Sequence, residues 1–258
     1  MSEDKKPGVT QGLSDEDRDT FTNHHIGDVV VEPFAPEMEL GKRLLLNGQV
    51  GSGGTGIIEE VFDKNLLRSV ARKVIKPDRV EDEAACGYLV EEAQITAQLN
   101  HQQIVPVHEL GIDDEGHLYF TMKLIKGRTF KEIIREKGFS ERTKRELFEQ
   151  LQTFIKVCDA VAFAHSRGVI HRDLKTENIM VGEYGEVYLM DWGLAKLKER
   201  RPSRMDRESS IDNRQEYVLP DEDGMVRATL AYMAPEQARG DVEAVDERTD
   251  VFCLGGIL

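Results

Sequence analysis

The alternation of apolar and polar positions in the first half of the chain predicts several short β-strands. Residues 43–50, 56–62 and 66–75 form three such runs, the last two separated by a turn-like Asp-Lys-Asn. Two further runs, 105–110 and 117–125, flank an Asp-Asp-Glu-Gly segment that suits a hairpin loop. The pattern therefore indicates an antiparallel meander.

Residues 82–99 interrupt this meander with a helical pattern. The segment lacks proline and is rich in Glu, Ala, Gln and Leu, which favour a helix. Four of its residues are spaced to share one face: Leu89, Ala93, Thr96 and Leu99. The first half of the chain is thus predicted to be a sheet with one helix.

Beyond residue 127 the pattern becomes mainly helical. The clearest helix is predicted over 144–165, and Gly168 is expected to stop it. Its periodic positions are Leu147, Leu151, Ile155, Cys158, Ala162 and His165. The stretch 196–224 is dense in charge and serine with almost no apolar periodicity, so it is predicted to be a long loop.

Composition narrows the classes of protein that fit. Hydrophobic residues make up 40% of the 258, enough to fill a core, and the formal net charge of -14 makes a nucleic-acid partner a poor choice. Residues 1–40 hold ten acidic and three basic residues, which predicts an acidic and disordered tail. Three widely spaced cysteines and the lack of a membrane-length apolar run favour a reducing, cytoplasmic compartment.

A glycine cluster lies between the first two predicted strands, and it matches a GxGxxG pattern. Its residues are Gly51, Ser52, Gly53, Gly54, Thr55 and Gly56. A dinucleotide-binding fold would start a helix at the last glycine and a Walker loop would follow it with Lys-Ser/Thr, but a strand follows here. The cluster alone therefore fits two interpretations equally well: a hairpin tip that covers bound phosphates, or a mobile turn with no binding role.

A lysine on the third predicted strand favours the interpretation that the glycine cluster binds phosphates. Lys73 precedes Glu92 of the predicted helix by nineteen residues, with Glu91 as the neighbour that could be mistaken for it. A Lys-Glu pair between strand and helix would hold the ammonium against the α- and β-phosphates of a nucleotide.

Three further motifs follow in order: His171-Arg172-Asp173-Leu174-Lys175-Thr176-Glu177-Asn178, Asp191-Trp192-Gly193 and Ala234-Pro235-Glu236. With the glycines and the lysine, they resemble the protein kinases, most closely the bacterial, eukaryotic-like (Hanks-type) serine/threonine kinases. The resemblance implies an α+β, bilobal fold. The small lobe would be 41–126, with an antiparallel sheet and one helix, and the large lobe 127–258 would be mainly helical.

The resemblance also implies a role for each matching residue in phosphoryl transfer from ATP with Mg²⁺. Asp173 would orient the acceptor hydroxyl and Lys175 would neutralise the γ-phosphate, while Asn178 and Asp191 would bind the metal. The remaining nucleotide contacts are expected from the glycine cluster and from Val50, Ile58, Ala71, Lys73, Glu92, Met122, Lys123 and Ile125. Met122 would be the gatekeeper, and Lys123 to Ile125 the hinge that binds adenine through its backbone.

Details within the motifs refine the class. Lys175 together with Thr229 resembles the serine/threonine kinases, which implies Ser and Thr hydroxyls of proteins as substrates. Trp192 replaces the usual Phe and Thr176 the usual Pro, but neither change removes a reacting group. By the resemblance, residues 191–236 would be the activation segment. Arg172 beside Asp173 suggests capture of a phosphate on this segment, with three candidate acceptors: Ser203, Ser209 and Ser210.

The last residues resemble only the start of the large lobe's central helix, so the lobe is expected to lack its last helices and to expose apolar surface there. This keeps a second hypothesis open, a catalytically impaired nucleotide-binding scaffold that acts by docking. Self-association for autophosphorylation is a possible partner interaction. A glycosidase using Asp173 and Asp191 is discounted, because it leaves Lys73, the glycines and Asn178 unexplained.

Overall fold

The computed structural model describes residues 43–53, 56–137, 141–197 and 229–258. The predicted acidic tail, Gly54, Thr55 and nearly all of the predicted loop 196–224 lie outside these residues. In the described part of the chain, no helix is both long enough and apolar enough to cross a membrane.

The first half contains the predicted antiparallel meander. Its five strands run in the spatial order β1-β2-β3-β5-β4, and every neighbouring pair is antiparallel. The strands are β1 (Leu44–Ser52), β2 (Gly56–Asp63), β3 (Arg68–Ile75), β4 (Val107–Ile112) and β5 (Leu118–Lys123). β3 begins two residues later than predicted, because the Asp63 carboxylate accepts bonds from the Asn65 and Leu66 amides and extends the turn.

One long helix, α1 (Glu83–Gln98), packs on this sheet. Asp82 caps its N-terminus by accepting a hydrogen bond from the amide of Ala85 at 3.0 Å. The four residues predicted to share a face are all buried, and they face the core of the small lobe or the junction with the large lobe. The prediction of a sheet with one helix is therefore confirmed for this lobe.

Among the described residues, the second half holds the longest helix and two small β-sheets. Its helices are α2 (Phe130–Arg135), α3 (Lys144–Ser166), α4 (Pro235–Ala238) and α5 (Glu247–Ile257). Its strands, all of two to four residues, are β6 (Gly127–Thr129), β7 (Val169–Ile170), β8 (Ile179–Gly182), β9 (Val187–Leu189) and β10 (Lys196–Leu197). β6, β8 and β9 form one sheet, and β7 pairs with β10. This lobe is helical at its core, as predicted, with small sheets along the cleft.

The helix α3 confirms the prediction for 144–165, but the buried face differs from the stripe that predicted it. Leu147, Leu151 and Ile155 are 40–50% exposed, whereas four other residues are buried: Val157, Ala160, Val161 and Ala164. These four residues belong to the core cluster of the lobe, so packing against the rest of the lobe, and not the apolar stripe alone, decides which face of α3 is buried. Apolar surface is also exposed on α5, at Val251 and Phe252, as predicted for this helix.

Candidate active site

Lys73 and Glu92 form a buried ion pair between β3 and α1. The Lys73 Nζ lies 2.6 Å from one carboxylate oxygen of Glu92 and 2.7 Å from the other. Lys73 lies on a central strand and Glu92 on the face of α1 that packs against the sheet, and so the two side chains meet away from water. The alternative partner considered from the sequence, Glu91, does not occupy this position.

Asp191 brings a second carboxylate to the same lysine. Its Oδ1 lies 3.8 Å from the Lys73 Nζ, and its side chain is half exposed at 48%. Burial lowers the pKa of Lys73, but the carboxylates of Glu92 and Asp191 outweigh this and raise the pKa above its usual value. The ammonium therefore keeps its charge, which is the state that binding phosphate requires.

The described residues of the glycine cluster lie at the tip of the β1–β2 hairpin, with Gly51 and Ser52 at the end of β1 and Gly56 at the start of β2. The amide of Gly53 donates to the carbonyl of Gly56 at 2.8 Å, and Ser52 pairs with Ile57 across the hairpin. Gly56 has a packing role, because a Cβ there would lie 2.7 Å from the Val74 carbonyl oxygen and 3.2 Å from the Lys73 Cγ. A side chain at this position would push β2 away from the strand that carries the lysine.

The remaining predicted nucleotide contacts are four apolar residues of one cluster, one exposed valine and one lysine at a strand end. Ile58, Ala71, Met122 and Ile125 belong to one apolar cluster beneath the sheet. Val50, on β1, is 58% exposed. Lys123 ends β5, and its backbone leads directly into the connection to β6. These positions provide an apolar wall and a strand end that leads out of it.

Asp173 lies at the centre of a polar cluster in the large lobe. Its Oδ2 accepts a bond from the Lys175 Nζ at 2.5 Å, and its backbone carbonyl accepts one from the Asn178 Nδ2 at 2.9 Å. Its Oδ1 accepts from both the hydroxyl and the amide of Thr229, at 2.7 and 3.1 Å. Lys175 also donates to the Thr229 hydroxyl at 3.0 Å.

A carboxylate far along the chain holds the backbone of residues 171–178, the predicted catalytic loop. Asp250, fully buried on α5, accepts bonds from the amides of His171 and Arg172, both at 2.9 Å. The His165 Nε2 also contacts it at 2.7 Å. Arg172 adopts a left-handed backbone with a φ of 69°, and Asp191 one of 60°, which are rare for residues with a side chain.

A backbone bond within the large lobe and an ion pair between the lobes connect the groups on the two sides of the cleft. The amide of Met190 donates to the carbonyl of Asn178 at 2.9 Å, and β8 pairs with β9 just before Asp191. Asp191 in turn reaches Lys73 of the small lobe. The structure therefore brings Lys73, Asp173, Asn178 and Asp191 to one cleft, as their predicted roles require.

The donor set fits Mg²⁺ held together with phosphates. Asn178 and Asp191 offer amide and carboxylate oxygens, the hard ligands that Mg²⁺ binds in combination with substrate phosphates. Among the described residues, no group of three or more His, Cys, Asp or Glu side chains could hold a metal ion by itself. One carboxylate and one amide leave the remaining coordination positions to phosphates and water.

Arg172 is the predicted receptor for a phosphate on the activation segment. Its guanidinium donates to the backbone carbonyls of Leu194 and Ala195, and its own carbonyl accepts a bond from the Gln237 side chain at 2.7 Å. These bonds tie the catalytic loop to the start of the activation segment and to α4. The candidate acceptors Ser203, Ser209 and Ser210 lie outside the described residues, so the phosphate hypothesis stays a prediction.

Several residues of the site were not among those predicted to form it. Thr229 was used only as a marker of substrate class, yet it contacts both Asp173 and Lys175. No sequence motif indicated a role for Asp250, because its partners are backbone amides about eighty residues away. Trp192 lies against His171 with ring centroids 4.5 Å apart, and its Nε1 has no hydrogen-bond partner among the described residues. Only the motif around Thr229 could have indicated its contact.

Comparison with known proteins agrees with this geometry. Residues 45–258 match the profile of the protein kinase domain. The chain is 37% identical over 220 residues to the serine/threonine-protein kinase PknD of Protochlamydia amoebophila, covering 81% of this chain and 22% of that protein. It is 36% identical over 221 residues to PknD of Chlamydia caviae, covering 81% and 23%.

The chain thus spans less than a quarter of the length of these curated relatives. The similarity covers the part that holds the Lys-Glu pair, the catalytic loop and Asp191. On this match and this geometry, the chain belongs to the protein kinase domain family and is similar to its bacterial Hanks-type serine/threonine members.

Proposed function

We propose that this chain transfers the γ-phosphoryl group of ATP to Ser and Thr hydroxyls of proteins. The observation that carries the proposal is the position of the Lys73 ammonium, bonded to Glu92 at 2.6 Å and 3.8 Å from Asp191 of the other lobe. A charged lysine that lies beside Asp191, the proposed metal-binding carboxylate, and next to the glycine-rich hairpin suits the binding of a nucleoside triphosphate.

Asp173 is proposed to orient the acceptor hydroxyl. One of its oxygens already accepts a hydroxyl bond, from Thr229 at 2.7 Å, which supports the assignment of this carboxylate as an acceptor for a Ser or Thr hydroxyl. Lys175 lies 2.5 Å from the other oxygen and would stabilise the negative charge of the transferred group. Phosphoryl transfer asks for little more than this placement and charge compensation.

Asn178 and Asp191 would hold Mg²⁺. When bound, the metal neutralises the charge on the phosphate oxygens. The Asn178 Nδ2 donates to the Asp173 carbonyl, and so its amide oxygen is left to face a cation. Asp191 is half exposed, in contrast to the buried Glu92, and this suits a carboxylate that serves as a ligand.

The base and the phosphates are proposed to lie between the glycine hairpin and the hinge. Val50, Ile58, Ala71 and Met122 would form the apolar walls around adenine, and Lys123 to Ile125 would bind its edge through backbone groups. The amides of residues 51–56 would approach the phosphates. Autophosphorylation through self-association, the activation-segment acceptors and a cytoplasmic location stay predictions from the sequence.

The proposal is tested by transfer of labelled phosphate from Mg-ATP to a generic Ser/Thr protein substrate. Asp173→Asn is expected to lower the rate about 10²- to 10⁴-fold, because the acceptor hydroxyl loses its orienting carboxylate. Calorimetric binding of Mg-ADP should stay within about twofold, since no hydrogen bond or ion pair joins Asp173 to Lys73 among the described residues.

The matched control is Asp159→Asn, an exposed carboxylate on α3 outside the cleft. It should leave both measurements unchanged. Transfer that survives Asp173→Asn undiminished would remove the proposed role of Asp173. Mg-ADP binding without any transfer by the unmodified protein would instead favour the docking scaffold.

A further inference from the structure

A side chain at the end of the small-lobe sheet reaches across into the large lobe. Lys123 is the last residue of β5 and pairs with Val70 of β3. Its ammonium donates a hydrogen bond to the hydroxyl of Tyr188, in β9, and lies 4.6 Å from the centre of the tyrosine ring. One lysine thus makes a hydrogen bond and a cation–π contact with the same residue of the other lobe.

The next residue of β9 makes a second contact with the small lobe. The amide of Leu189 donates to the carbonyl of Gln103 at 2.7 Å, and Leu189 also forms an isolated parallel bridge with Ile104. Gln103 and Ile104 lie in the connection from α1 to β4. Two consecutive residues of β9 therefore contact two separate segments of the small lobe.

The position of β9 determines where Asp191 lies. Asp191 follows Leu189 by two residues, and the intervening Met190 is tied to Asn178 by a backbone bond of 2.9 Å. A shift of β9 relative to the small lobe would change the 3.8 Å separation between Asp191 and Lys73. The contacts of β9 with the small lobe thus control the alignment of groups from both lobes.

The two contacts differ in how they respond to substitution. The bond between Leu189 and Gln103 joins backbone groups and survives a change of either side chain. The contact between Lys123 and Tyr188 consists entirely of side chains, and the tyrosine is only 9% exposed. Partial removal from water strengthens both parts of it.

We propose that Lys123 and Tyr188 are positioning residues that form a latch between the lobes. The latch holds β9 against the small lobe and raises the fraction of molecules whose cleft is aligned for a nucleotide. A ligand's apparent dissociation constant is its intrinsic value divided by that fraction, so breaking the latch weakens nucleotide binding. This consequence rests on the proposed function, whereas the latch itself does not.

Graded variants separate the two parts of the contact. Lys123→Met removes the charge and keeps an unbranched side chain, so both interactions are lost. Tyr188→Phe keeps the ring under the ammonium and removes only the hydroxyl. The double variant completes a cycle, and Lys126→Met is the matched control, an exposed lysine that directly precedes β6.

The first measurement uses the protein without nucleotide. Hydrogen exchange of the Leu189 amide, resolved by NMR, should be about threefold faster in Tyr188→Phe and about tenfold faster in Lys123→Met. The amide of Val74, inside the β3–β5 ladder, should exchange at an unchanged rate in both. Lys126→Met should match the unmodified protein at both positions.

The second measurement is calorimetric binding of Mg-ADP. The dissociation constant should rise about threefold for Tyr188→Phe and about tenfold for Lys123→Met, with the double variant equal to Lys123→Met, because the hydroxyl acts only through the lysine. In the transfer assay, the KM for ATP should rise by the same factors while kcat changes less than about twofold. General destabilisation would not produce this division between KM and kcat.

Unchanged exchange at Leu189 in both single variants would overturn the latch. The same holds for effects that simply add in the double variant, since two independent residues would then be acting. If the unmodified protein bound no Mg-ADP, the proposed function would fail, while the exchange measurement would still decide for or against the latch.

Discussion

The two sides of the cleft are held together over very different distances along the chain. On the small-lobe side, Lys73 bonds to Glu92, nineteen residues away on the next element. On the large-lobe side, Asp250 fixes the amides of His171 and Arg172 from 79 and 78 residues away. Contacts within the small lobe therefore position Lys73, whereas the position of the catalytic loop depends on the docking of α5.

The difference indicates where each side is vulnerable. The small-lobe pair needs only the correct packing of α1 on the sheet, which the contacts of α1 with β3, β4 and β5 provide within this lobe. The catalytic loop needs a buried carboxylate to satisfy two amides that no strand or helix pairs. Removing that carboxylate should therefore damage the large-lobe side alone.

Asp250→Ala is expected to give the largest loss of stability. Two buried amides and the His165 ring lose their acceptor, and the free energy of unfolding should fall by about 3–5 kcal/mol. Urea unfolding measures the loss, with Asp159→Ala as the exposed control. A loss below about 1 kcal/mol would mean that the catalytic loop does not depend on α5.

Gly56→Ala tests the small-lobe side, where the spacing between strands matters. The added Cβ would meet the Val74 carbonyl at 2.7 Å, within the β2–β3 ladder, and stability should fall by about 1–3 kcal/mol. Gly51→Ala is the matched control in the same hairpin, since its nearest neighbour would be the Ile58 Cβ at 4.0 Å. Equal stability for the two variants would contradict a packing role for Gly56.

The smallest effect is expected from a longer-range contact that the small lobe also contains. Arg43 binds both Asp63, at 2.6 Å, and Glu109 of β4, at 2.8 Å. Hydrogen bonds from Arg43 lower the pKa of Asp63 below its usual 3.8. The ionised carboxylate therefore stabilises the fold above pH 3.8, and this contribution is lost as the pH falls through the folded-state pKa.

The matching experiment compares the unmodified protein with Asp63→Asn in urea at several pH values. At neutral pH the variant should be less stable by about 1–2 kcal/mol, and the difference should shrink below pH 3.8. A difference that is independent of pH would show that the charge of Asp63 does not contribute. Arg43 would then act only through its contact with Glu109.

The sequence could predict those elements that are long or locally capped. The meander, α1 and α3 were found within a few residues of their observed ends, because periodicity and capping residues act over short distances. The motifs that resemble protein kinases identified the family, which the profile match confirms. The predicted roles of the individual site residues stay predictions.

Other features depend on tertiary contacts that the sequence pattern does not show. Strands of two to four residues such as β7 and β10 carry too little periodicity to be recognised. The apolar stripe Leu147, Leu151 and Ile155 predicted α3 correctly but not its buried face, which is decided by packing against the rest of the lobe. The role of Asp250 likewise exists only once α5 has docked.

Trp192 has a practical consequence for the measurement of ligand binding. It is the chain's single tryptophan, it is 1% exposed, it follows Asp191 directly in the sequence, and its ring lies against that of His171. Indole emission changes with local polarity and with nearby rings, so the protein carries its own optical reporter at the junction of the lobes. Ligand titrations can therefore be followed by intrinsic fluorescence, without attaching a dye.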